Sequence, residues 1–585
     1  MDLGEFEIFE NKVIIRIKNR ICETSDELLN SALFLEILKH CIKELQSHNS
    51  YLLNIFNKKD ITDQDIGTLI NTFQFLTKMT GDLVTKVEKG SSVFFRDQAL
   101  LNEFVEYLYN YWRSFDRFII CASEENNQEK RPYRIFNNTI EQLTHLVRAV
   151  YRDIQENITG THPRIYRQVR AGAEIASIAI PKAIPFPAKE YEKLNVIPFI
   201  RQILIYPPLI LNPPMNKRTG VFERVSENPL NRLSLNETEW LCYPAKVGEL
   251  IILIYFNRKF YELGYSLCNL FELAEDHELT KKPDAVYCYG VSEKEIEGLG
   301  RSKTIFYDDK KNNLFVAAVP DNNEFGYFGY LKKMVLTLHN IIMIQRGVFP
   351  FHGALLNLML PNDKTANILL IGDTGAGKSE TIEAMRDLGK HEIQDMIIVA
   401  DDMGSIQINT EGDIIGYGTE IGAFLRLDDL KAGYAFGQID RTIIMSPNKT
   451  NARIVLPVTT FDRVIRGHKI DLILYANNYD EIDEDHPIIE KFDSAEQALK
   501  VFREGTVMSK GTTTSTGIVH SYFANVFGPP QYKELHDQLA KKYFTEFYRN
   551  NIFVGQLRTR LGIAGYERLG PEEAAKELLK LIKDH

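Results

Sequence analysis

An apolar run followed by a glycine-rich stretch constrains the fold of this chain more than any other feature. Residues 372–379 read Gly-Asp-Thr-Gly-Ala-Gly-Lys-Ser, a complete G-x-x-x-x-G-K-[ST] phosphate loop. The residues before it, Ile368 to Ile371, are apolar enough for a buried strand, and Ile382, Met385 and Leu388 follow at helical spacing. The sequence therefore predicts a strand, a phosphate loop and a helix in succession.

Each residue type in this loop has a chemical reason to be there. Glycines let backbone N–H groups turn around phosphate oxygens, the lysine supplies a positive charge, the serine hydroxyl can bind Mg²⁺, and the helix adds the positive end of its dipole. We therefore expect a bound nucleotide, ATP or another nucleoside triphosphate, together with Mg²⁺. The residues expected to hold it are Gly372, Asp373, Thr374, Gly375, Ala376, Gly377, Lys378 and Ser379.

Two acidic residues follow the next predicted strand. This strand runs from Met396 to Ala400 and is followed directly by Asp401 and Asp402. A Mg²⁺ ion bound to a nucleotide needs a carboxylate at such a position. The order of strand, loop, helix, strand and acidic pair is typical of a nucleotide site.

The composition is that of an ordinary globular protein and excludes several classes of partner. A chain of 585 residues is long enough for roughly two to four domains. Its net charge is −10 with both signs interspersed, so no broad basic face indicates nucleic acid or an anionic membrane as a partner. Residues 1–20 contain Glu5, Glu7 and Glu10 and no apolar signal segment, and the longest apolar run, Leu250 to Phe256, is too short to span a bilayer. We expect a cytoplasmic protein.

The six cysteines are scattered and include no C-x-x-C pair. This pattern indicates that most are buried thiols outside any disulfide. None follows residue 288, so we expect no thiol chemistry and no cysteine-based zinc site in the nucleotide region.

Hydrophobic periodicity divides the chain into three regions of an α/β protein. Residues 1–160 show apolar residues at steps of three and four, which predicts an all-α N-terminal bundle and a candidate surface for oligomerisation. Residues 161–322 alternate Pro-rich connections with short β-like runs, which predicts a mixed α/β domain and a candidate substrate lobe. Residues 323–585 carry the phosphate loop and form the expected catalytic domain.

Motifs on both sides of the phosphate loop carry a family resemblance. They are, in order, Tyr327-Phe328-Gly329-Tyr330-Leu331-Lys332-Lys333, the isolated His352, Asp401-Asp402-Met403-Gly404, Thr419-Glu420-Ile421-Gly422 with Arg426 four residues later, and Arg453. In the order and the sequences of these motifs, residues 323–563 resemble the nucleotide-binding half of phosphoenolpyruvate carboxykinases and of the related HPr kinase/phosphorylases. The resemblance implies a carboxykinase-like P-loop domain and covers under half of the chain.

The resemblance also implies roles for individual residues. Lys333, His352 and Asp402 would hold Mn²⁺, and Lys332 beside them would help to lower the pKa of Lys333 so that its neutral amine can bind metal. Ser379 would bind Mg²⁺, with Asp401 next to it. The residues implied to face the transferring phosphoryl group or the substrate are Arg426, Arg453 and Tyr327.

Three segments depart from the carboxykinase pattern. The Gly300-Arg301-Ser302-Lys303 element lies too close to Lys332 to match the arginine that holds the substrate in that family, and Arg218 is a second candidate for that role. The loop from Gly505 to Gly517 suits a lid, but it carries Thr512-Thr513-Thr514 where the family has Thr-x-Arg. The phosphate-loop sequence Gly-Asp-Thr-Gly-Ala-Gly-Lys-Ser-Glu-Thr is closer to that of the HPr kinases than to that of the carboxykinases.

Three functions remain open from the sequence. The leading expectation is a carboxykinase-like enzyme that converts oxaloacetate and ATP to phosphoenolpyruvate, CO₂ and ADP, with a small carboxylic acid as its substrate. The alternative is a kinase of the HPr kinase type that phosphorylates a protein serine or a small hydroxyl compound, with Asp401 as the base. The third is a nucleotide-binding switch. A large distance between Lys333 and His352 would favour the kinase, and a degenerate metal set would favour the switch.

Overall fold

Alternating residues near the start of the chain form strands instead of the expected helices. In the computed structural model, β1 (Glu5–Phe9) and β2 (Lys12–Ile17) pair in antiparallel fashion. In β1, Phe6 and Ile8 alternate with acidic residues, which is the period of a strand. The expectation of an all-α bundle for residues 1–160 is therefore wrong.

The structure describes residues 5–17, 21–122, 131–218, 221–361, 364–388, 392–427, 439–510, 516–526 and 529–584. The chain forms two units. The first comprises residues 1–180 and 200–206, and the second comprises residues 181–199 and 207–585. The division does not fall at the expected boundaries near residues 160 and 322.

The first unit combines a sheet with helices. Strands β2 and β3 are parallel, so the chain between them must cross over, and helices supply this connection. In sheet order its strands are β1, β2, β3 (Asp116–Cys121), β4 (Ile175–Pro181) and β5 (Pro198–Ile205). Its helices are Ser25–Leu29, Ala32–Ser47, Asp63–Leu76, Gly81–Val87, Gln98–Ser114 and Arg131–Thr159.

Helical periodicity within this unit was predicted correctly. The helix Ala32–Ser47 begins where the Ser31 hydroxyl accepts a hydrogen bond from the Phe34 amide at 3.1 Å, a normal N-cap. It buries Leu38 and Ile42, four residues apart on one face.

The second unit contains the remaining strands. They are β6 (Leu209–Leu211), β7 (Glu223–Val225), β8 (Trp240–Val247), β9 (Leu250–Asn257), β10 (Ala285–Val291), β11 (Ile305–Asp309), β12 (Leu314–Pro320), β13 (Phe349–Met359), β14 (Thr365–Ile371), β15 (Asp395–Ala400), β16 (Met403–Ile408), β17 (Ile414–Gly418), β18 (Gly422–Arg426), β19 (Ile443–Met445), β20 (Arg453–Pro457), β21 (His468–Lys469), β22 (Leu472–Asn477), β23 (Ile489–Lys491), β24 (Thr506–Lys510), β25 (Thr516–His520) and β26 (Phe553–Arg558).

Helices complete this unit. They are Lys189–Glu192, Tyr261–Ser266, Glu293–Ile296, Phe328–Gln345, Lys378–Leu388, Phe461–Ile465, Ala495–Glu504, Pro529–Arg549 and Leu569–Asp584. Nearly every residue of Phe328–Gln345 is buried, which is typical of a helix in the core of a large protein.

The strands of the second unit form several sheets. One follows the order β8-β9-β10-β12-β11-β7, and a larger one follows the order β21-β17-β16-β13-β14-β22-β26-β23, with β15 also paired to β13. Strands β18-β20-β19-β6 form a third, and β24 with β25 a hairpin. Strand β6 belongs to the predicted domain 161–322 and β19 to the predicted domain 323–585. Because these two strands pair, segments of both predicted domains share one sheet. The mixed α/β class is confirmed.

The helices and the cysteines can be compared with two expectations from the sequence. None of the helices in the described ranges is long and apolar enough to cross a bilayer. All six cysteines lie in the described part of the chain and none forms a disulfide, as expected. Burial raises the pKa of the Cys41 thiol to about 12, which keeps it protonated and unreactive.

Candidate active site

A change of partner along β13 brings the sequence motifs together. The first residues of β13 pair with β16, and the residues from Gly353 onward pair with β14. At the change, the Gly353 amide donates to the Asp402 carbonyl at 3.0 Å, and the Gly372 amide donates to the His352 carbonyl at 3.2 Å. A Cβ atom on Gly353 would lie 2.3 Å from the Leu370 carbonyl oxygen, so this close approach requires glycine. The backbone thus holds the histidine, the acidic pair and the phosphate loop side by side.

The phosphate loop has the predicted local structure. Strand β14 ends at Ile371, and the helix begins at Lys378 with Ser379 in its first turn. Gly375 and Gly377 have φ values of +81° and +93°, a region that favours glycine. A chain in this conformation turns its amides toward a bound anion.

The side chain of Lys378 contacts the backbone of the phosphate loop. Its Nζ donates to the carbonyl oxygens of Gly372 at 2.5 Å and of Asp373 at 3.0 Å. Burial lowers the pKa of Lys378, and the carboxylates of Asp373 and Asp402 oppose this effect. Within the loop, the Thr374 amide donates to Asp373 Oδ1 at 2.7 Å. The lysine is therefore held beside the concave face of the loop.

Two lysines and a histidine converge on one carboxylate. Lys332 Nζ and Lys333 Nζ each lie 2.8 Å from Asp402 Oδ2, and His352 Nε2 lies 2.9 Å from Asp402 Oδ1. Lys332 Nζ also lies 3.2 Å from Glu420 Oε1. The side chains of Lys332, His352 and Glu420 are 2 %, 2 % and 0 % exposed, so this is a buried ionic cluster. Lys333 and His352 are therefore neighbours.

The two lysines differ electrostatically. Burial lowers the pKa of both, but for Lys332 the carboxylates of Asp402 and Glu420 outweigh burial and hold its pKa above the ordinary value. For Lys333, burial and the adjacent Lys332 together outweigh Asp402, and its pKa falls. Lys333 is thus the lysine that loses its proton more easily, as a metal ligand must.

The pKa values of the three carboxyl groups are shifted in different directions. Burial would raise the pKa of Asp402, but Lys332 and Lys333 outweigh burial and hold it well below the ordinary value. Burial raises the pKa of Asp401, with Asp402 adding to the effect and Lys332 opposing it. Burial also raises the pKa of Glu420 to about 7, against the opposing charge of Lys332. Asp402 is therefore the carboxylate that stays ionised.

The ring of His352 has a defined orientation. Its Nδ1 is within hydrogen-bond distance of the Ala524 carbonyl oxygen, which can only accept, so Nδ1 carries a proton. Its Nε2 faces Asp402 Oδ1, which is also an acceptor. The ring therefore either carries both protons or presents the Nε2 lone pair to a cation shared with Asp402.

These atoms fit a divalent cation only if the lysine takes part. Within the described residues, no group of three or more histidine, cysteine, aspartate and glutamate side chains is placed to hold a metal ion. The predicted set of Lys333, His352 and Asp402 supplies an amine, an imidazole nitrogen and a carboxylate, which suit a transition-metal dication such as Mn²⁺. The lowering of the Lys333 pKa is in the direction that favours the neutral amine that such a site needs.

The predicted substrate and phosphoryl residues gather around Phe424. Its ring centroid lies 6.0 Å from that of Tyr327, 5.9 Å from Lys332 Nζ and 5.3 Å from the Arg453 guanidinium. Arg426 lies opposite Arg453 in the register of β18 and β20. Cations near an aromatic face are attracted to it and keep a fixed position. Phe424 therefore orders this side of the site.

The two candidates for a substrate arginine lie in different environments. Arg301 is exposed to solvent. Burial lowers the pKa of Arg218, with Tyr330 and Tyr327 opposing this effect, so Arg218 lies within electrostatic reach of the predicted substrate tyrosine. Its guanidinium lies 5.3 Å from the Phe222 ring centroid. Of the two, only Arg218 is linked to the site by these contacts.

The expected lid is described only in part. Strands β24 and β25 pair in antiparallel fashion, and β24 and the first two residues of β25 belong to the segment from Gly505 to Gly517. The threonines Thr512 to Thr514 lie outside the described residues.

Sequence reasoning missed Phe424, Asn478 and Thr559 and gave Glu420 no role. The Asn478 Nδ2 group donates to the Gly375 carbonyl at 2.8 Å, and the Thr559 hydroxyl donates to the Ala376 carbonyl at 2.7 Å. Both residues directly follow strands that run parallel to β14. Ligands of α/β sheets bind at the carboxyl ends of parallel strands, so this position was the available signal.

A comparison of the chain with models of protein families finds no match, and a comparison with curated proteins finds none.

Proposed function

We propose that this protein is a nucleotide-dependent phosphoryl-transfer enzyme of the phosphoenolpyruvate carboxykinase type, which converts oxaloacetate and ATP to phosphoenolpyruvate, CO₂ and ADP. One observation carries the proposal. Lys333 and His352, which a simple kinase does not need to bring together, both contact the carboxylate of Asp402. Asp402 is also bound through its backbone to Gly353, next to the phosphate loop.

The donor atoms support a metal site beside the nucleotide. Lys333 Nζ, His352 Nε2 and Asp402 would hold Mn²⁺, and Ser379 at the start of its helix would hold Mg²⁺. Bound at the first site, a divalent cation would supply the positive charge that stabilises the enolate oxygen left when oxaloacetate loses CO₂. The Ala524 carbonyl keeps the His352 ring turned so that Nε2 faces this position.

The other side chains would position and neutralise anions. Lys378, which is buried and bonded to two loop carbonyls, would move to the nucleotide phosphates. Arg453 would face the charge that develops on the transferring phosphoryl group. The Arg453 Nε atom is buried and makes no hydrogen bond within the described residues, so it can donate to an incoming anion. Tyr327 and Arg218 would contact the carboxylic acid.

A kinase acting on a protein serine or a small hydroxyl compound is the second candidate. The observation that favours it is Asp401, whose pKa burial raises and which directly precedes Asp402, the proposed metal ligand. A carboxylate with a raised pKa is a better proton acceptor from a hydroxyl group. In both cases the donor is a nucleoside triphosphate, and we propose a cytoplasmic location.

One assay separates these candidates. The purified protein is incubated with ATP, Mg²⁺ and Mn²⁺, with and without oxaloacetate, and phosphoenolpyruvate and ADP are measured separately. We expect oxaloacetate-dependent formation of both products, and none with Lys378→Ala. ADP release that does not respond to oxaloacetate would contradict the carboxykinase and favour the kinase. No ADP release with any acceptor would leave the nucleotide-binding switch.

A further inference from the structure

Two buried side chains outside the motif bind the backbone of the phosphate loop. Asn478 follows β22 and Thr559 follows β26, and both are fully buried. In the parallel order β14-β22-β26, these positions lie at the same edge of the sheet as the loop. Each side chain donates a hydrogen bond to a backbone carbonyl of the loop. They are therefore placed to control the shape of the loop.

Thr559 contacts two consecutive residues of the loop. Its hydroxyl donates to the Ala376 carbonyl at 2.7 Å, and its own amide donates to the Asn477 carbonyl at 2.7 Å, which fixes the threonine backbone. A Cβ atom on Gly377 would lie 2.5 Å from Thr559 Oγ1. The glycine before the motif lysine is thus required here because the loop rests directly on this hydroxyl.

The direction of this carbonyl determines the direction of an amide. In a planar trans peptide, the carbonyl of one residue and the amide of the next point in opposite directions. Because the Ala376 carbonyl is held against Thr559, the Gly377 amide points away from Thr559. That is the side on which a phosphate loop binds its anion.

Asn478 ties the same loop to the hairpin. Its Nδ2 group donates to the Gly375 carbonyl at 2.8 Å and to the Met508 carbonyl at 2.9 Å, while its Oδ1 accepts from the Met508 amide at 2.8 Å. All three bonds use one side-chain amide, and Met508 fixes which end is the oxygen. The asparagine therefore links the loop glycine to β24.

We propose that Thr559 and Asn478 are positioning residues for the nucleotide polyphosphate: they hold the carbonyls of Ala376 and Gly375 so that the loop amides face the phosphates. This inference rests on the proposed nucleotide site and identifies which residues outside the motif preorganise it. Neither side chain touches the nucleotide. Each acts through the backbone of the loop.

The test measures the dissociation constant of MgATP by calorimetric titration of the full chain. Thr559→Val removes the hydroxyl and keeps the shape, so it leaves the Ala376 carbonyl without a donor, and we expect about tenfold weaker binding. Thr559→Ser keeps the hydroxyl and should bind within about twofold of the original protein, because the hydrogen bond remains. If methyl packing were the only role of Thr559, the serine variant would be the weaker of the two.

A matched control and a second variant make each outcome decisive. Thr72 is a fully buried threonine in the other unit whose hydroxyl donates to the Thr68 carbonyl at 2.7 Å, so Thr72→Val should leave MgATP binding unchanged. If Thr559→Val does not fold, Asn478→Asp replaces it, because a carboxylate cannot donate to the Gly375 carbonyl. Unchanged binding in a folded Thr559→Val or Asn478→Asp protein would overturn this inference alone. Absence of binding in the original protein would overturn the proposed nucleotide site itself.

Discussion

Replacing Lys333 by methionine should separate metal binding from stability. Both lysines contact the same Asp402 oxygen at 2.8 Å, and Lys332 repels Lys333. In the Lys333→Met protein, Asp402 keeps Lys332 and His352 as partners. Removing one partner of a buried ion is costly when it leaves the other charge uncompensated, but here Asp402 stays paired and the repulsion between the two lysines is lost. We therefore expect a change in unfolding free energy within about 1 kcal/mol. The unfolding midpoint should move by no more than roughly 2 °C.

Asp402→Asn is expected to behave differently. It removes the carboxylate shared by Lys332, Lys333 and His352, of which Lys332 is only 2 % exposed. Breaking a buried pair in this way costs about 3 kcal/mol, or roughly 3 to 4 °C in the unfolding midpoint of a unit of this size. Loss of a group outside the ligand shell already weakens metal binding by about 10 to 100-fold, so both variants should lose at least about 100-fold in Mn²⁺ affinity.

The assay combines Mn²⁺ titration, followed by electron paramagnetic resonance of the free ion, with thermal unfolding. Lys246→Met is the matched control, since Lys246 is 9 % exposed and its ion-pair partner is Glu278, at 3.3 Å, which is not a member of the cluster. The control should bind Mn²⁺ as the original protein does. An unchanged Mn²⁺ titration for Lys333→Met, or an unchanged midpoint for Asp402→Asn, would refute this reasoning.

Other variants probe the loop and the buried carboxylate. Lys378→Ala should abolish nucleotide-dependent turnover, and normal ADP release by this variant would refute the assignment of the loop. Gly377→Ala places a Cβ atom 2.5 Å from Thr559 at a φ of +93°, so we expect a loss of about 1 to 3 kcal/mol in stability and weaker ATP binding, measured by thermal unfolding and titration. Burial raises the pKa of Glu420 to about 7, above an unfolded value of about 4.3, so the native state binds more protons between these two pH values. Its stability therefore falls by up to about 4 kcal/mol as the pH rises through them. Glu420→Gln should remove this part of the decline between pH 5 and pH 8, and a pH profile of unfolding identical to the original would contradict it.

Local patterns predicted the elements around the phosphate loop well. The apolar run before the phosphate loop is β14, the apolar residues after it lie in the helix Lys378–Leu388, and the acidic pair follows β15. These elements are set by a few consecutive residues, so a linear reading can find them.

Features that depend on distant contacts were missed. The short strands β1, β2 and β3 lie among strongly periodic helices, and parallel pairing of β2 with β3 joins segments about a hundred residues apart, which no local pattern reveals. Phe424 and Thr559 carry no motif of their own. Their positions follow from the pairing of strands that bring them next to Arg453 and Ala376.

The central claim is that a divalent cation is held by Lys333, His352 and Asp402 beside a nucleotide on the phosphate loop. Anomalous diffraction from a crystal grown with ATP and Mn²⁺ tests it most directly. The account predicts a manganese peak bonded to Lys333 Nζ, His352 Nε2 and a carboxylate oxygen of Asp402, with the nucleotide phosphates along residues 372–379. A nucleotide bound there with no manganese between these three side chains would contradict it.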